Sequence, residues 1–152
     1  MNDPGRGYLL DVNILISLAW PDHEAHAVST RWFSSDLESP WYTCVLTQLG
    51  FVRVSSHPSF PFAGERPTVS ASQDALQRLL DDPLHVFLDR LADIRSPEIA
   101  TIMQQARSTK MLTDTYLLAL CSLHNLTLVT LDQGLKNLRP QPLLLYAQPP
   151  LS

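Results

Sequence analysis

The sequence has few cysteines, no excess of positive charge and no long apolar run. Its two cysteines, Cys44 and Cys121, are far apart and match neither a disulfide framework nor a zinc-site spacing. We therefore expect both to be small buried side chains. No GxGxxG or Walker motif is present, which argues against a nucleotide cofactor.

The formal charge is −4, with 11 Lys and Arg against 15 Asp and Glu. This balance excludes a broad basic surface for long nucleic acids, because such binding depends on many Lys and Arg contacts to phosphate. It is compatible with a small basic rim, or with a metal ion that supplies positive charge locally. Four basic residues are candidates for a path along which a polyanion lies, with scattered surface charge as the other explanation: Arg53, Arg66, Lys136 and Arg139.

The length of 152 residues and an apolar content of 45% predict one domain over residues 1–152 with a sizeable core. No run approaches the roughly 18 consecutive apolar residues of a membrane span, and no signal-peptide pattern is seen at the start. We expect no membrane association and a cytoplasmic location.

Short apolar runs alternate with helical patterns along the chain, which predicts a mainly parallel sheet covered by helices on both faces. The expected fold class is therefore α/β, a three-layer α/β/α sandwich. Strands are predicted at Tyr8–Leu10, Trp41–Thr43, Leu84–Leu88, Leu126–Leu131 and Leu143–Tyr146. Helices are predicted at Ile14–Trp20, His23–Leu37 capped by Asp22, Val45–Val54, a segment capped by Ser72 and ending near Leu80, Pro97–Arg107, Asp114–His124 capped by Thr113, and Leu135–Leu138. The segment Ser55–Pro67 is predicted to be a loop or mobile flap.

Three aspartates are candidates for a metal site. Asp11 and Asp132 each follow a predicted strand, and Asp114 lies in the first turn of a very apolar helix. Ligands of parallel sheets sit beyond the carboxyl ends of the strands. Carboxylates gathered there repel one another unless one is protonated or a cation intervenes, and Mg²⁺ prefers carboxylate, water and phosphate oxygens.

Each aspartate also has a local explanation. Asp114 suits the positive end of a helix dipole, Asp132 before Gln133 and Gly134 suits a turn, and Asp11 with Asn13 suits a strand-to-helix cap. In another α/β class, the aspartate phosphohydrolases, an Asp after the first strand is a nucleophile. That pattern requires a second Asp two residues later, and this chain has Asn13 at that position.

Four ordered runs make the sequence resemble PIN domains, and more closely the VapC toxins of toxin–antitoxin pairs. They are Leu9–Leu15, Thr47–Arg53, Leu112–Leu120 and Leu128–Asp132. The resemblance implies an α/β/α endoribonuclease that uses Mg²⁺ or Mn²⁺ and cuts RNA such as tRNA or rRNA loops. It also implies a homodimer blocked by a small cognate antitoxin protein.

The resemblance assigns the metal and the catalysis to Asp11, Asp114 and Asp132. The family commonly has a Glu where this chain has Gln48, so a fourth negative charge is missing from the expected site. This departure keeps open an alternative function, a PIN-like RNA- or protein-binding domain with weak or no nuclease activity. Gln48 is as compatible with a packing role as with the site. Three further residues are candidates to steady the acids or the substrate, with local capping as the other explanation: Asn13, Thr113 and Thr130.

The remaining candidate groups favour structural roles. His23 and His26 have a metal-compatible spacing on one helix, but no further ligand completes a site, so we expect a solvated or packed helix face. The tryptophans Trp20, Trp32 and Trp41 are expected in the core or an interface rather than as base-stacking platforms.

Overall fold

The computed structural model describes residues 6–60 and 66–146. Five strands form one sheet, in the order β3-β2-β1-β4-β5, and every neighbouring pair is parallel. Their bounds are β1 Tyr8–Leu10, β2 Trp41–Thr43, β3 His85–Phe87, β4 Thr127–Thr130 and β5 Leu143–Leu144. The helices are α1 Val12–Ala19, α2 His26–Arg31, α3 Val45–Ser55, α4 Val69–Leu80, α5 Pro97–Met103 and α6 Leu112–Leu123.

The sheet separates two hydrophobic clusters, which confirms the predicted three-layer α/β/α sandwich. Successive side chains of a strand point to opposite faces, so Leu10 enters the cluster that includes α1, while Leu9 enters the cluster that includes α6. Both leucines are completely buried, as are Ile14 of α1 and Leu120 of α6. Each such side chain contributes about 1.5–3 kcal/mol through burial, which explains why the strands are apolar without alternation.

The chain changes direction across the sheet between β1 and β4. From β1 it passes to β2 and β3 on one side, whereas β4 and β5 lie on the other side of β1. Parallel open sheets bind ligands at such a switch point, beyond the carboxyl ends of the strands. Asp11 follows β1 and Asp132 lies two residues after the end of β4, so both are placed at this position.

Gly50 allows α3 to approach the start of α1. A Cβ at this position would lie 2.5 Å from Cγ2 of Val12, closer than any side chain tolerates. Val12 is the first residue of α1, directly after Asp11, so the contact holds the helix start on which the site depends.

Several predicted helix boundaries are wrong. The helix predicted from His23 starts at His26 as α2 and continues as a π-helical turn, Trp32–Asp36. Asp22 is not its cap, because residues 21–25 form turns and the capping position is Ala25. The helix predicted from Pro97 starts there but ends at Met103 instead of Arg107.

The predicted caps at Ser72 and Thr113 are also wrong. The side chain of Thr68 caps α4 by accepting the Ala71 N–H, and Ser72 is buried inside the helix. Helix α6 begins at Leu112, which leaves Thr113 in its first turn.

Several predicted strands and one predicted helix are shorter in the structure. A single 3₁₀ turn, Gln133–Leu135, replaces the predicted helix Leu135–Leu138, and β5 ends at Leu144 instead of Tyr146. The strands predicted at Leu84–Leu88 and Leu126–Leu131 shorten by one residue at each end.

The predicted loop after α3 lies partly outside the described residues, at positions 61–65. Both cysteines are buried and unpaired, as predicted. Trp32 and Trp41 are buried, and Trp20 stacks on Phe51, which confirms their expected packing roles. Across the residues that the structure describes, no helix is long and apolar enough to cross a membrane.

Candidate active site

Asp11 is a buried carboxylate held by several hydrogen bonds. It is the N-cap of α1, and its Oδ1 accepts the Val12 N–H at 2.7 Å. Its Oδ2 accepts the hydroxyl of Thr130 at 2.7 Å. Only 4% of the residue is exposed. The capping explanation for Asp11 is therefore correct, and it leaves the carboxylate fixed at the switch point of the sheet.

Thr130 connects the two strand-end aspartates. Its Oγ1 donates to Asp11 and accepts the backbone N–H of Asp132 at 3.1 Å. Asn13 reinforces the link: its Nδ2 donates to Thr130 Oγ1 at 3.1 Å, and its Oδ1 accepts the Leu131 N–H at 3.0 Å. Both side chains are therefore hydrogen-bonded to Asp11 or to the segment that carries Asp132, and their role in a functional site stays a prediction.

Asp132 is exposed at the mouth of the site. Its Oδ1 accepts the Gly134 N–H at 2.9 Å and starts the 3₁₀ turn that follows β4. The turn explanation is correct here too. A cap leaves the second carboxylate oxygen available, so capping does not exclude a role as a ligand.

Asp114 carries the strongest electrostatic signature of the three. It lies in the first turn of α6, half-buried, and its pKa is raised to about 7. The largest cause is burial, followed by the negative charges of Asp11 and Asp132. Burial and the charge of Asp132 also raise the pKa of Asp11, against hydrogen bonds from Thr130 and Val12 that lower it. The fold therefore brings the three aspartates close enough to repel one another.

No basic side chain offsets this repulsion within residues 6–60 and 66–146, where the one ion pair is the exposed Arg95–Asp93. An all-oxygen acidic set of this kind suits a hard divalent cation. In the same part of the chain, however, no three His, Cys, Asp or Glu side chains are grouped so as to hold an ion by themselves. Mg²⁺ is usually bound by few carboxylates, with water and phosphate oxygens completing the shell, so this acidic set is compatible with such an ion although it forms no complete site by itself.

Gln48 does not contact the acids. Its Nε2 donates to Thr43 Oγ1 at 3.0 Å, and Thr43 Oγ1 lies 2.8 Å from Nε2 of His85. His85 also bonds the Leu80 carbonyl, and burial lowers its pKa. In a neutral His85 ring, the nitrogen that carries the proton faces the Leu80 carbonyl, and the free Nε2 accepts the Thr43 hydroxyl. The Thr43 oxygen accepts in turn from the Gln48 amide. No sequence signal pointed to Thr43 or His85, because the three residues meet only across β2, β3 and α3.

The other candidates lie apart from the acids or at the surface. Thr113 is exposed in the first turn of α6. His23 lies in the turns before α2, so the predicted pair on one helix is wrong; His23 accepts the Ala25 N–H, and His26, the first residue of α2, bonds the Ser17 carbonyl. The four basic candidates for an RNA path are all exposed: Arg53, Arg66, Lys136 and Arg139.

Comparisons with known proteins identify the class that this fold and site define. The model of the PIN domain family matches residues 8–139. A chain of VapBC2 from Rickettsia felis, in a crystal structure with a DNA fragment from the promoter, matches with a TM-score of 0.55 at 14% identity. The match covers 90% of this chain and 96% of that one, and it supports the fold alone.

Three curated proteins of Mycobacterium tuberculosis are more similar in sequence. Ribonuclease VapC44 is 35% identical over 84% of this chain and 87% of its own length. Ribonuclease VapC38 is 34% identical over 88% and 90%, and ribonuclease VapC39 is 32% identical over 84% and 89%. The chain therefore belongs to the PIN domain family, and within it to the VapC branch. This assignment separates it from the aspartate phosphohydrolases.

Proposed function

We propose that this protein is a metal-dependent endoribonuclease and the toxin of a toxin–antitoxin pair. Asp11, Asp114 and Asp132 would hold Mg²⁺ or Mn²⁺ together with water and substrate phosphate oxygens, and the site would cleave phosphodiester bonds in RNA, such as tRNA or rRNA loops. The observation that carries the proposal is the mutual repulsion of three aspartates from distant segments at the switch point of the sheet. The ribonucleases VapC38, VapC39 and VapC44 support the choice of RNA.

The residues contribute in different ways. Asp11 is fixed by Thr130 and by the start of α1, so little reorganisation is needed when a cation or substrate arrives. Asp114 has a pKa of about 7, so a bound cation would favour its ionised form and would release the proton that it carries near neutral pH. A bound divalent ion would supply water activation and would offset charge on the phosphodiester.

A cognate antitoxin is the proposed protein partner, and the toxin is proposed to act as a homodimer. The structural neighbour VapBC2 is named as a complex, which supports a partner of this kind. Expression of this chain alone should arrest growth, and co-expression of a small protein from the adjacent gene should restore it. Growth that is unaffected by the active chain would contradict the toxin role.

The nuclease proposal is tested on protein purified free of any antitoxin, with RNA and with Mg²⁺, Mn²⁺ or EDTA. Asp11→Asn, Asp114→Asn and Asp132→Asn should each abolish cleavage while the fold survives. Asp74→Asn, at an exposed position of α4, is the matched control and should cut normally. Cleavage that persists in all three variants, or in EDTA, would overturn the mechanism.

A second candidate is a PIN-like binding domain with little nuclease activity. It is favoured by Gln48, which replaces the common Glu and is hydrogen-bonded to Thr43 instead of an acid. RNA or protein binding by the pure chain without cleavage at any metal concentration would favour this candidate.

A further inference from the structure

A polar pocket lies next to Asp132 and is not used by the proposed chemistry. Its volume is about 360 Å³. It lies between the segment that precedes α6 and the segment that follows β4. The lining residues are Gln105, Arg107, Met111, Gly134, Asn137 and Leu138.

The pocket walls continue directly from the segments that carry two of the acids. Gly134 donates its N–H to Oδ1 of Asp132, so this wall is one hydrogen bond from the site. Met111 directly precedes α6, three positions before Asp114. The pocket therefore adjoins Asp132 directly, and its other wall continues into the helix that carries Asp114.

A long-range clamp fixes the shape of the pocket. The Oε1 of Gln105 accepts the backbone N–H of Arg139 at 2.9 Å, and its Nε2 donates to the Arg139 carbonyl. The guanidinium of Arg139 turns back, with Nη1 donating to the Leu138 carbonyl at 3.0 Å. Arg139 is not itself a lining residue, but both residues to which it is hydrogen-bonded, Gln105 and Leu138, line the pocket, so Arg139 lies at its border.

Positive charge is concentrated on these same two segments. Although the chain has a net charge of −4, four of its 11 basic residues lie here: Arg107, Lys110, Lys136 and Arg139. All four are exposed, and the ion pair that the described residues contain lies elsewhere. Cations with no acidic partner, beside a side-chain amide at Asn137, are the groups that bind phosphate oxygens.

We propose that this pocket is a subsite for an RNA backbone phosphate next to the bond that is cut, with Arg107, which lines it, and Arg139, which borders it, as the charged contacts. The proposal rests on the proposed function. It explains how an acidic protein binds a polyanion: the basic contacts are local and adjoin the acidic site. A phosphate held here would fix the position of the RNA strand across the three aspartates without any reading of base sequence.

The test measures binding separately from cleavage. An Asp11→Asn protein is titrated onto a short labelled single-stranded RNA in EDTA, and fluorescence anisotropy is followed from 50 to 200 mM salt. Asn remains a good N-cap, so this background keeps α1. Arg107→Gln and Arg139→Gln are added singly. Arg78→Gln is the matched control, because Arg78 is an exposed arginine near the end of α4, which leads to the amino edge of the sheet.

Each of the two pocket substitutions should weaken binding about threefold to tenfold and lower the salt slope by about 0.7, the value for one phosphate contact on a single strand. Arg78→Gln should leave both unchanged. In the active protein, the pocket substitutions should raise KM more than they lower kcat.

The subsite would be overturned if both pocket variants bound RNA as tightly as the Asp11→Asn background protein. It would also be overturned if Arg78→Gln weakened binding equally, or if the background protein did not bind RNA. If binding follows the expected pattern but the active protein never cuts, the subsite stands and the nuclease proposal fails.

Discussion

Replacing Asp114 by Asn should stabilise the metal-free protein, and increasingly so as the pH rises. The pKa of Asp114 is raised from 3.8 to about 7, and each tenfold change in proton affinity is worth about 1.4 kcal/mol. The upper limit of the ionisation penalty is therefore about 4 kcal/mol. Because the Asp114 side chain is only half-buried, solvent screening reduces the ionisation penalty to about 1–2 kcal/mol. The variant also loses the favourable contact of the carboxylate with the helix dipole, which subtracts about 0.5 kcal/mol from the expected stabilisation.

The sign follows from proton binding. Between pH 4 and pH 7 the folded protein keeps a proton on Asp114 that the unfolded chain has released, so the free energy of unfolding falls as the pH rises. Asn cannot ionise and removes this contribution. The stability advantage of Asp114→Asn should therefore grow by about 1 kcal/mol from pH 5 to pH 8, or about 3 °C in Tm for a chain of this size.

The measurement is thermal and urea unfolding in EDTA at pH 5, 6, 7 and 8. Asp74→Asn, which removes an exposed carboxylate from α4, should show the same pH dependence as the unmodified protein. Parallel stability curves for Asp114→Asn and the unmodified protein would refute the raised pKa of Asp114 in the folded protein.

Three further perturbations test the same site and its support. Mg²⁺ at 100 times its Kd should stabilise the folded state by about 2–3 kcal/mol, because it binds that state preferentially, and should therefore raise Tm. Asp132→Asn should reduce this rise in Tm in scanning fluorimetry, and an equal rise in both proteins would exclude Asp132 as a ligand. Thr130→Val leaves the buried Asp11 one donor short and should cost about 1–3 kcal/mol in urea unfolding, whereas Thr130→Ser should be nearly neutral; equal losses would mean that packing alone is responsible. Gly50→Ala should cost about 1–3 kcal/mol in the same assay because its Cβ meets Val12, and adding Val12→Ala should recover part of the loss; additive losses would contradict the close contact.

The sequence predicted the sheet well because its strands are buried on both faces and read as short apolar runs. The bounds of β1 and β2 match the prediction, and those of β4 differ by one residue at each end. Helix starts were predicted less well. Thr68 and Ser72 are equally plausible caps, and only the course of the backbone decides which side chain reaches a free N–H.

The candidate site divides in the same way. Asp11 and Asp132 could be placed from sequence because each closely follows a strand, and parallel strands end at one edge. Asp114 depends on how α6 docks on the sheet, and its raised pKa depends on two charges from other segments. The link from Thr130 to Asp11 spans 119 positions, and no local pattern encodes it.

Sequence alone thus determined the alternation of strands and helices, the parallel sheet and the acidic residues at strand ends, because these follow from local apolar periodicity and residue type. Tertiary structure decided which acids repel one another, that Gln48 is bonded to Thr43, and that the segments before α6 and after β4 enclose a polar pocket. These features arise from contacts between residues distant in the chain, whose geometry is set only when helices dock on the sheet.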